Sequence, residues 1–354
     1  MDLIELNEMI DGPSAEAAAA AKRNWDAIAK PLGSLGVLED DIIRIAALTG
    51  DPNVRIDKRL VIVMCADNGV VEEGVTQTGQ DVTAIVASNI ARGDTSVCNM
   101  ARLANAEVVS VDMGTVGTAE GALNRRVAPQ TNNFTKGPAM TREQAGQCLQ
   151  TGIDLVRESA ARGAQIICTG EMGIGNTTTS SAVAAVLLGL PVEEVTGRGA
   201  GLSDEGLTRK INAIKKGIEV NEPNPDDALD VLAKLGGFDI AGMAGIFLGG
   251  ALYKVPIVID GFISALAALV AKRLCPKSDC AMIASHVSAE PAAHMILEEL
   301  TAKPIIMAGM RLGEGTGAVC ALPLLDMGLS VYREMVSFDD INIEAYTPQG
   351  GDIK

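Results

Sequence analysis

The sequence predicts an α/β fold, a parallel β-sheet covered on both faces by helices. Short apolar runs, each the length of a buried strand, alternate along the chain with longer segments of helical periodicity. Strands separated by helices run parallel, because each helical crossover returns the chain to the same end of the sheet. The runs ending at Asp67, Gly170 and Asp260 lead into polar or glycine-rich loops. Ligands of such sheets bind beyond the carboxyl ends of the strands, so these loops are the expected site.

The predicted strands are short, apolar and regularly spaced. Residues 60–65 (LVIVMC) come first and end in the turn 66–69 (ADNG). Further strands are predicted at 108–112, 165–168 and 256–260, with weaker patterns at 281–285 and 304–307.

Helices are predicted between these strands. The first is rich in alanine, begins after a plausible N-cap at Ser14 and ends at about Ala29, before Pro31. The others are predicted at about 80–103, 142–161, 176–188, 204–219, 226–235, 239–253 and 262–272. Residues 115–140 are expected to form an irregular excursion.

Composition excludes several classes of protein. The 354 residues include 29 Lys+Arg against 45 Asp+Glu, a net charge of −16, and only 3% are aromatic. Such a chain neither attracts a phosphate backbone nor offers a stacking platform, so no nucleic acid is expected. The apolar stretch 240–253 is too short to span a bilayer, so no membrane is expected either.

The seven cysteines and two histidines indicate neither a disulfide framework nor a metal site. The cysteines are odd in number and widely spaced, with no CxxC pair. The acidic start of the chain lacks the basic and apolar regions of a signal peptide. Reduced cysteines in a cytoplasm are the resulting interpretation. His286 and His294 are expected to be structural or to lie at the rim of the site.

The segment 169–179 (TGEMGIGNTTT) follows a strand and opens a helix. Its small residues, the N–H groups of the helix start and the hydroxyls of Thr177 and Thr178 predict an anion site. The spacing from Gly170 to Thr177 imitates a Walker A loop, but Asn176 replaces the lysine, which favours one monophosphate over a triphosphate. The alternative is a glycine-rich turn with Asn176 as a helix N-cap.

Two further segments carry polar residues between glycines. In 196–210, Ser203 can cap a helix, and Arg209 and Lys210 could reach a phosphate, although a solvated basic turn is the simpler interpretation. In 310–318, Glu314 precedes an apolar helix. A carboxylate in an apolar, crowded setting holds a proton more readily, as a general base requires. The alternative is an acid that complements the helix dipole.

Seven segments in one order carry a resemblance to a known family. They are 30–36 (KPLGSLG), 66–69 (ADNG), 170–178 (GEMGIGNTT), 197–201 (GRGAG), 260–264 (DGFIS), 288–291 (SAEP) and 311–315 (RLGEG). This series closely resembles the nicotinate-nucleotide:dimethylbenzimidazole phosphoribosyltransferases of the cobamide nucleotide-loop pathway. The resemblance extends from about residue 4 to 345.

The resemblance implies a reaction without a cofactor. Nicotinate mononucleotide would give its phosphoribosyl group to an aromatic base, yielding an α-linked ribotide and nicotinate with inversion at the anomeric carbon. By this resemblance Glu314 is the general base, and Glu171 and Asp260 line the catalytic centre. The residues implied to hold phosphate and ribose are Gly173, Gly175, Asn176, Thr177, Thr178, Lys210 and Ser288, with Asp260 beside them.

The same resemblance implies an architecture and an assembly. A large Rossmann-like domain is expected over residues 57–324, and a small helical domain over residues 1–56 and 325–354. A homodimer is expected, or a heterodimer with a paralogue.

The acceptor-base pocket is implied to contain Thr78, Val86 and Leu312. Relatives carry Gln at the position of Val86 and Ser at that of Thr78. Valine cannot hydrogen-bond a ring nitrogen, and losing a polar partner relaxes discrimination. We therefore expect bases other than dimethylbenzimidazole, such as phenol or p-cresol. The alternatives are a subunit that needs a paralogous partner and a phosphate-ligand binding protein without turnover.

Overall fold

The structure is a computed structural model that describes residues 3–347. Its described part contains one sheet of six strands, all parallel, in the order β3-β2-β1-β4-β5-β6. The strands are β1 (Arg59–Ala66), β2 (Ala106–Gly114), β3 (Leu123–Asn124), β4 (Ile166–Met172), β5 (Ile257–Ile259) and β6 (Met282–Ala284). This order is that of the doubly wound dinucleotide-binding sheet, and it confirms the predicted fold class.

Helices cover both faces of the sheet. In chain order they are α1 (Leu3–Met9), α2 (Ala15–Ala27), α3 (Val37–Thr49), α4 (Asp81–Arg92), α5 (Ser96–Leu103), α6 (Arg142–Ala161), α7 (Asn176–Leu188), α8 (Val192–Val195), α9 (Asp204–Asn221), α10 (Ala228–Leu235), α11 (Phe238–Tyr253), α12 (Phe262–Leu274), α13 (Ala293–Glu299) and α14 (Thr316–Glu334). Short 3₁₀ helices occupy Gly69–Glu73, Pro276–Ala281 and Asp339–Ile341.

Side chains that alternate along strand β1 belong to two different hydrophobic clusters, one on each face of the sheet. Ile62 and Met64 belong to the cluster built with helices α6, α7 and α10–α12. Val61 and Val63 belong to the cluster on the other face, built with α2–α5 and α14. Successive side chains of a strand point to opposite faces, so a continuous apolar run is what a sheet buried on both faces requires.

Local signals are confirmed at several helix ends. Ser14 caps α2, accepting the N–H of Ala17 at 3.1 Å, and Ser203 caps α9, accepting the N–H of Gly206 at 3.2 Å. The single helix predicted over 80–103 is wrong. Helix α4 ends at Gly93, which is left-handed with φ of 86°, and a separate helix, α5, begins at Ser96.

One strand was predicted wrongly, and one helix was not predicted. The strand predicted at 304–307 is wrong, because this segment makes only an isolated bridge between Ile306 and His286. Helix α3 was not predicted, although Gly50 ends it with a left-handed cap.

The division into a large and a small domain stays a prediction. Helix α14 runs unbroken through the predicted boundary at 324/325, and the second cluster joins Trp25 and Ile42 to strand residues such as Val61. Residues 1–2 and 348–354 of the predicted small domain lie outside the described residues. Between residues 3 and 347, the structure contains no helix with the length and apolar character that crossing a membrane needs.

Candidate active site

A cavity of about 410 Å³ lies at the carboxyl ends of the strands, where the strand order reverses between β1 and β4. Its wall includes the loops that follow β4, β5 and β6, together with the loop before α14. Two loops from outside the sheet, 75–78 and 198–202, complete it. The predicted loops after Gly170 and Asp260 therefore meet at one cavity, whereas residues 66–69 at the end of β1 do not line it.

The glycine-rich loop turns sharply between β4 and α7. Gly175 is the N-cap of α7 with φ of 93°, a conformation that favours glycine. A Cβ on Gly173 would lie 2.5 Å from the carbonyl oxygen of Ala66, so the loop packs directly on the end of β1. Asn176 is the first residue of the helix and not its cap, which corrects the alternative interpretation. In the first turn, the N–H groups of Asn176 and Thr178 donate to the carbonyl oxygens of Gly173 and Gly175, whereas that of Thr177 makes no hydrogen bond within the described residues. This N–H and the positive end of the helix dipole make this end of α7 suited to an anion.

Two buried carboxyl groups hold the side chain of Asn176. Its amide Nδ2 donates to Asp239 Oδ2 at 3.0 Å and to Glu171 Oε2. Burial raises the pKa of Glu171 to about 8, with Asp239 adding to the rise. Burial likewise raises the pKa of Asp239 to about 6. Because one amide serves both carboxyl groups, the first residue of α7 is fixed in position.

Asp260 connects the end of β5 to the start of α14. Its carboxylate accepts the N–H of Gly315 at 3.2 Å and that of Ala318 at 3.0 Å. Burial raises the pKa of Asp260 to about 6, and these backbone bonds oppose the rise. This residue fixes the direction in which the Glu314 loop enters the cavity.

Glu314 has a strained backbone and a well-defined side chain. Its φ is 61°, in the left-handed region, between Gly313 and Gly315, which are also left-handed. A Cβ on Gly170 would lie 2.3 Å from the carbonyl oxygen of Glu314, so the loop rests directly on β4. Oε2 of Glu314 accepts the N–H of Val97 at 3.1 Å. Oε1 makes no hydrogen bond within residues 3–347.

Lys210 lies fully buried behind the loops and does not line the cavity. Its Nζ donates to Thr177 Oγ1 at 2.9 Å and to the carbonyl oxygen of Gly197 at 3.0 Å. Burial lowers the pKa of this ammonium to about 8, and the carboxylate of Glu290 opposes the change.

The structure brings most of the sequence-predicted site residues to the cavity wall. Those lining it are Thr78, Glu171, Gly173, Gly175, Asn176, Thr177, Asp260, Ser288, Leu312 and Glu314. Thr178 is fully buried and faces away, since successive residues of a helix point about 100° apart. Val86 is partly buried on α4, packs against the second cluster and does not line the cavity. Arg209 donates to the carbonyl oxygen of Gly74 outside it.

Sequence reasoning did not assign a role in the site to two residues of the cavity wall, His286 and Glu290, or to the buried Asp239, which does not line the cavity. His286 is buried in the wall, and a Cβ on Gly317 would lie 2.0 Å from its ring. Asp239 begins a very apolar helix, a position where an acid is usually explained by the helix dipole alone. Glu290 lines the cavity, and the sequence pointed to it only as part of the motif 288–291. A carboxyl group among apolar neighbours was the available signal in the case of Asp239.

The fold and this site define a class, an α/β enzyme in which a glycine-rich loop and several carboxyl groups share one cavity. The sequence model of a family described as Phosphoribosyltransferase matches residues 10–343. The chain belongs to the nicotinate-nucleotide–dimethylbenzimidazole phosphoribosyltransferase family, as the resemblance of its motifs indicates.

Similar proteins support this membership over more than nine tenths of the chain. The chain is 49% identical to nicotinate-nucleotide–dimethylbenzimidazole phosphoribosyltransferase of Acetivibrio thermocellus over 330 residues, covering 93% of this chain and 94% of that protein. It is 45% identical to the protein of that name from Clostridium acetobutylicum, covering 98% of this chain and 99% of that protein. The crystal structure of CobT from Thermus thermophilus superposes with a TM-score of 0.87 at 38% identity, covering 93% of this chain and 99% of that chain.

Proposed function

We propose that this protein transfers the phosphoribosyl group of nicotinate mononucleotide to an aromatic base, releasing nicotinate and an α-linked ribotide. The observation that supports it is the convergence of the 173–175 loop and Glu314 on one cavity in a chain of this family. The start of α7 suits the phosphate, and the apolar part of the wall, including Leu312, suits a flat ring.

The chemistry needs one base and no acid. Nicotinate leaves from a pyridinium, so its nitrogen takes the bonding electron pair and needs no proton. The incoming azole or phenol loses a proton as its nitrogen or oxygen bonds to the anomeric carbon. We assign that proton to Glu314, whose Oε2 is held by the N–H of Val97 while Oε1 is unpaired within the described chain. Positioning of the two substrates supplies much of the remaining rate.

The other carboxyl groups have supporting roles in this proposal. Glu171 and Asp239 fix Asn176, and Asp260 fixes the loop that carries Glu314. Gly173, Gly175, Thr177 and Ser288 are proposed to surround the phosphate and ribose.

The acceptor is proposed to be an aromatic lower-ligand base of broad choice, dimethylbenzimidazole or a phenolic compound. Val86 offers no hydrogen bond, and the ring would be held largely by aliphatic contact. Because Val86 lies on α4 and not in the cavity wall, its influence would have to pass through α4. Comparing wild type with Val86→Gln therefore tests whether this position controls acceptor choice.

A single experiment tests the proposed activity. Purified protein is incubated with nicotinate mononucleotide and, separately, with dimethylbenzimidazole, adenine, phenol and p-cresol, and products are identified by mass. Nicotinate release with a ribotide of the expected mass supports the proposal. The broad-acceptor part fails if only dimethylbenzimidazole reacts. No ribotide with any base, alone or with a paralogous chain added, refutes the activity.

The assembly and compartment are part of the same proposal. We propose a homodimer, or a heterodimer with a paralogue, and sedimentation of the purified chain at micromolar concentration distinguishes these. Each of the seven cysteines is a free thiol, which suits the reducing cytoplasm that we propose.

A further inference from the structure

The hydrogen bond between Lys210 and Thr177 has only one possible direction. An ammonium has donors and no acceptor, so Thr177 Oγ1 accepts from Nζ at 2.9 Å. The hydroxyl hydrogen of Thr177 is then left to donate elsewhere. Thr177 lines the cavity in the first turn of α7, whereas Lys210 itself is fully buried and does not line it. An anion in the cavity would therefore meet the hydroxyl of Thr177 and not the ammonium of Lys210.

A carboxylate, that of Glu290, lies close to Gly197 in the loop that precedes α9. Glu290 Oε2 would be only 2.0 Å from a Cβ on Gly197, and Gly197 also gives its carbonyl oxygen to Lys210 at 3.0 Å. The ammonium and the carboxylate thus flank one glycine, and only glycine fits between them. Oε2 of Glu290 is buried and makes no hydrogen bond within the described chain. Its charge is therefore poorly screened by solvent and acts on Lys210.

Four other acidic groups on the elements packed against α9 have partners of their own, and Glu194 of α8 and Glu219 of α9 are exposed to solvent. On α8, Glu193 binds Lys215, and on α10, Asp230 binds Lys234. In the 3₁₀ helix 69–73, Glu72 binds Lys136, while Glu73 accepts from Thr135 at 2.7 Å.

The residues of α7 are uncharged, and on α9 itself Asp204 pairs with Arg198. Among the described acidic groups, the carboxylate of Glu290 is the one that opposes the lowering of the Lys210 pKa by burial.

We propose that Glu290 is a positioning residue that keeps the buried ammonium of Lys210 charged and in place. Thr177 then presents its hydroxyl hydrogen to the phosphate of nicotinate mononucleotide. This inference rests on the proposed function, because the anion is taken to be the phosphate of that nucleotide. Glu290 itself, being negative, would repel a phosphate and so does not bind it.

The test replaces Glu290 with Gln, which keeps the shape and removes the charge. Burial disfavours the charged form of Lys210, so losing the carboxylate makes the ammonium lose its proton at lower pH. We expect the alkaline fall of kcat/KM for the nucleotide to move to lower pH by about one unit or more. At pH 8 the KM for the nucleotide should rise by about tenfold, with kcat changed little, because binding rather than the chemical step is affected.

Two comparisons make the result specific. Glu298→Gln removes an exposed acid of α13 and should leave both the profile and KM unchanged. Glu290→Asp retains the charge and should restore part of the wild-type profile. Calorimetric titration with nicotinate mononucleotide at pH 7 and pH 9, without any acceptor base, should show the same loss of affinity independently of turnover.

The outcomes separate this inference from the proposed function. If the wild type releases no nicotinate with any base, the proposed function fails. If the wild type is active and Glu290→Gln has an unchanged pH profile, the inference is overturned, even when KM rises, because that pattern would mean direct contact with the nucleotide. The inference would also be overturned if Glu290→Gln, added to Lys210→Met, lowered the affinity for nicotinate mononucleotide by a further factor of about ten, because Glu290 would then act without Lys210.

Discussion

Gly170→Ala tests how closely the Glu314 loop must rest on strand β4. The added Cβ would lie 2.3 Å from the carbonyl oxygen of Glu314, 2.6 Å from its carbonyl carbon and 2.9 Å from the nitrogen of Gly315. Ordinary contact between such atoms needs about 3.4 Å, so the loop must shift by about 1 Å. A displacement of that size at a reacting group costs about 100-fold in rate. We expect kcat to fall by about that factor.

The assay measures nicotinate release at saturating substrates, with thermal unfolding in parallel. Gly146→Ala is the matched control, since a Cβ there meets nothing within 4 Å and the residue lies in helix α6. It should keep full activity and raise stability by about 0.5–1 kcal/mol. If Gly170→Ala folds and keeps more than half of the wild-type kcat, the claim that the loop's position limits catalysis is refuted.

Three other variants give independent tests. Glu314→Gln should lower kcat by about 10²–10⁴-fold while calorimetry finds nucleotide binding intact, and near-normal turnover would remove this residue as the base. Burial raises the pKa of Asp41 to about 7, so wild-type stability should fall as pH rises from about 4 to 7. Asp41→Asn should lose that dependence and be more stable at pH 8 by about 2–4 kcal/mol, and parallel curves of unfolding free energy against pH would contradict this. Lys30→Met breaks a buried ion pair of 2.6 Å with Glu39 and should cost about 3–5 kcal/mol in chemical unfolding, whereas the double variant with Glu39→Leu should cost clearly less.

Local sequence patterns predicted much of the fold. The continuous apolar runs predicted β1, β2, β4 and β5, because a strand buried on both faces has no polar side. Serine caps predicted the starts of α2 and α9, since the cap bond is made within four residues. One continuous helix was wrongly predicted over 80–103, because a helical apolar pattern can continue past a residue such as Gly93 that ends the helix.

The glycine-rich loop was recognised for a similar local reason. Gly175 adopts a left-handed conformation, and Gly173 allows the loop to approach strand β1 closely. Glycine is the residue type that permits both, so its presence in the sequence indicates such a turn. The environment of Asn176 was not predictable, because its two carboxyl partners lie 5 and 63 residues away along the chain. The same holds for His286, whose place in the cavity wall depends on its packing against Gly317.

The sequence by itself determined the parallel α/β architecture, the glycine-rich loop before α7 and, through seven ordered motifs, the family. These depend on residue type and spacing, which act over short stretches of chain. Only the tertiary structure decided which polar groups face the cavity and which lie behind it. Lys210 was expected to touch a phosphate, yet it is buried and bonded to Thr177, with Glu290 across Gly197. Burial and hydrogen-bond direction arise from segments distant in sequence, and they set the charge and role of each group.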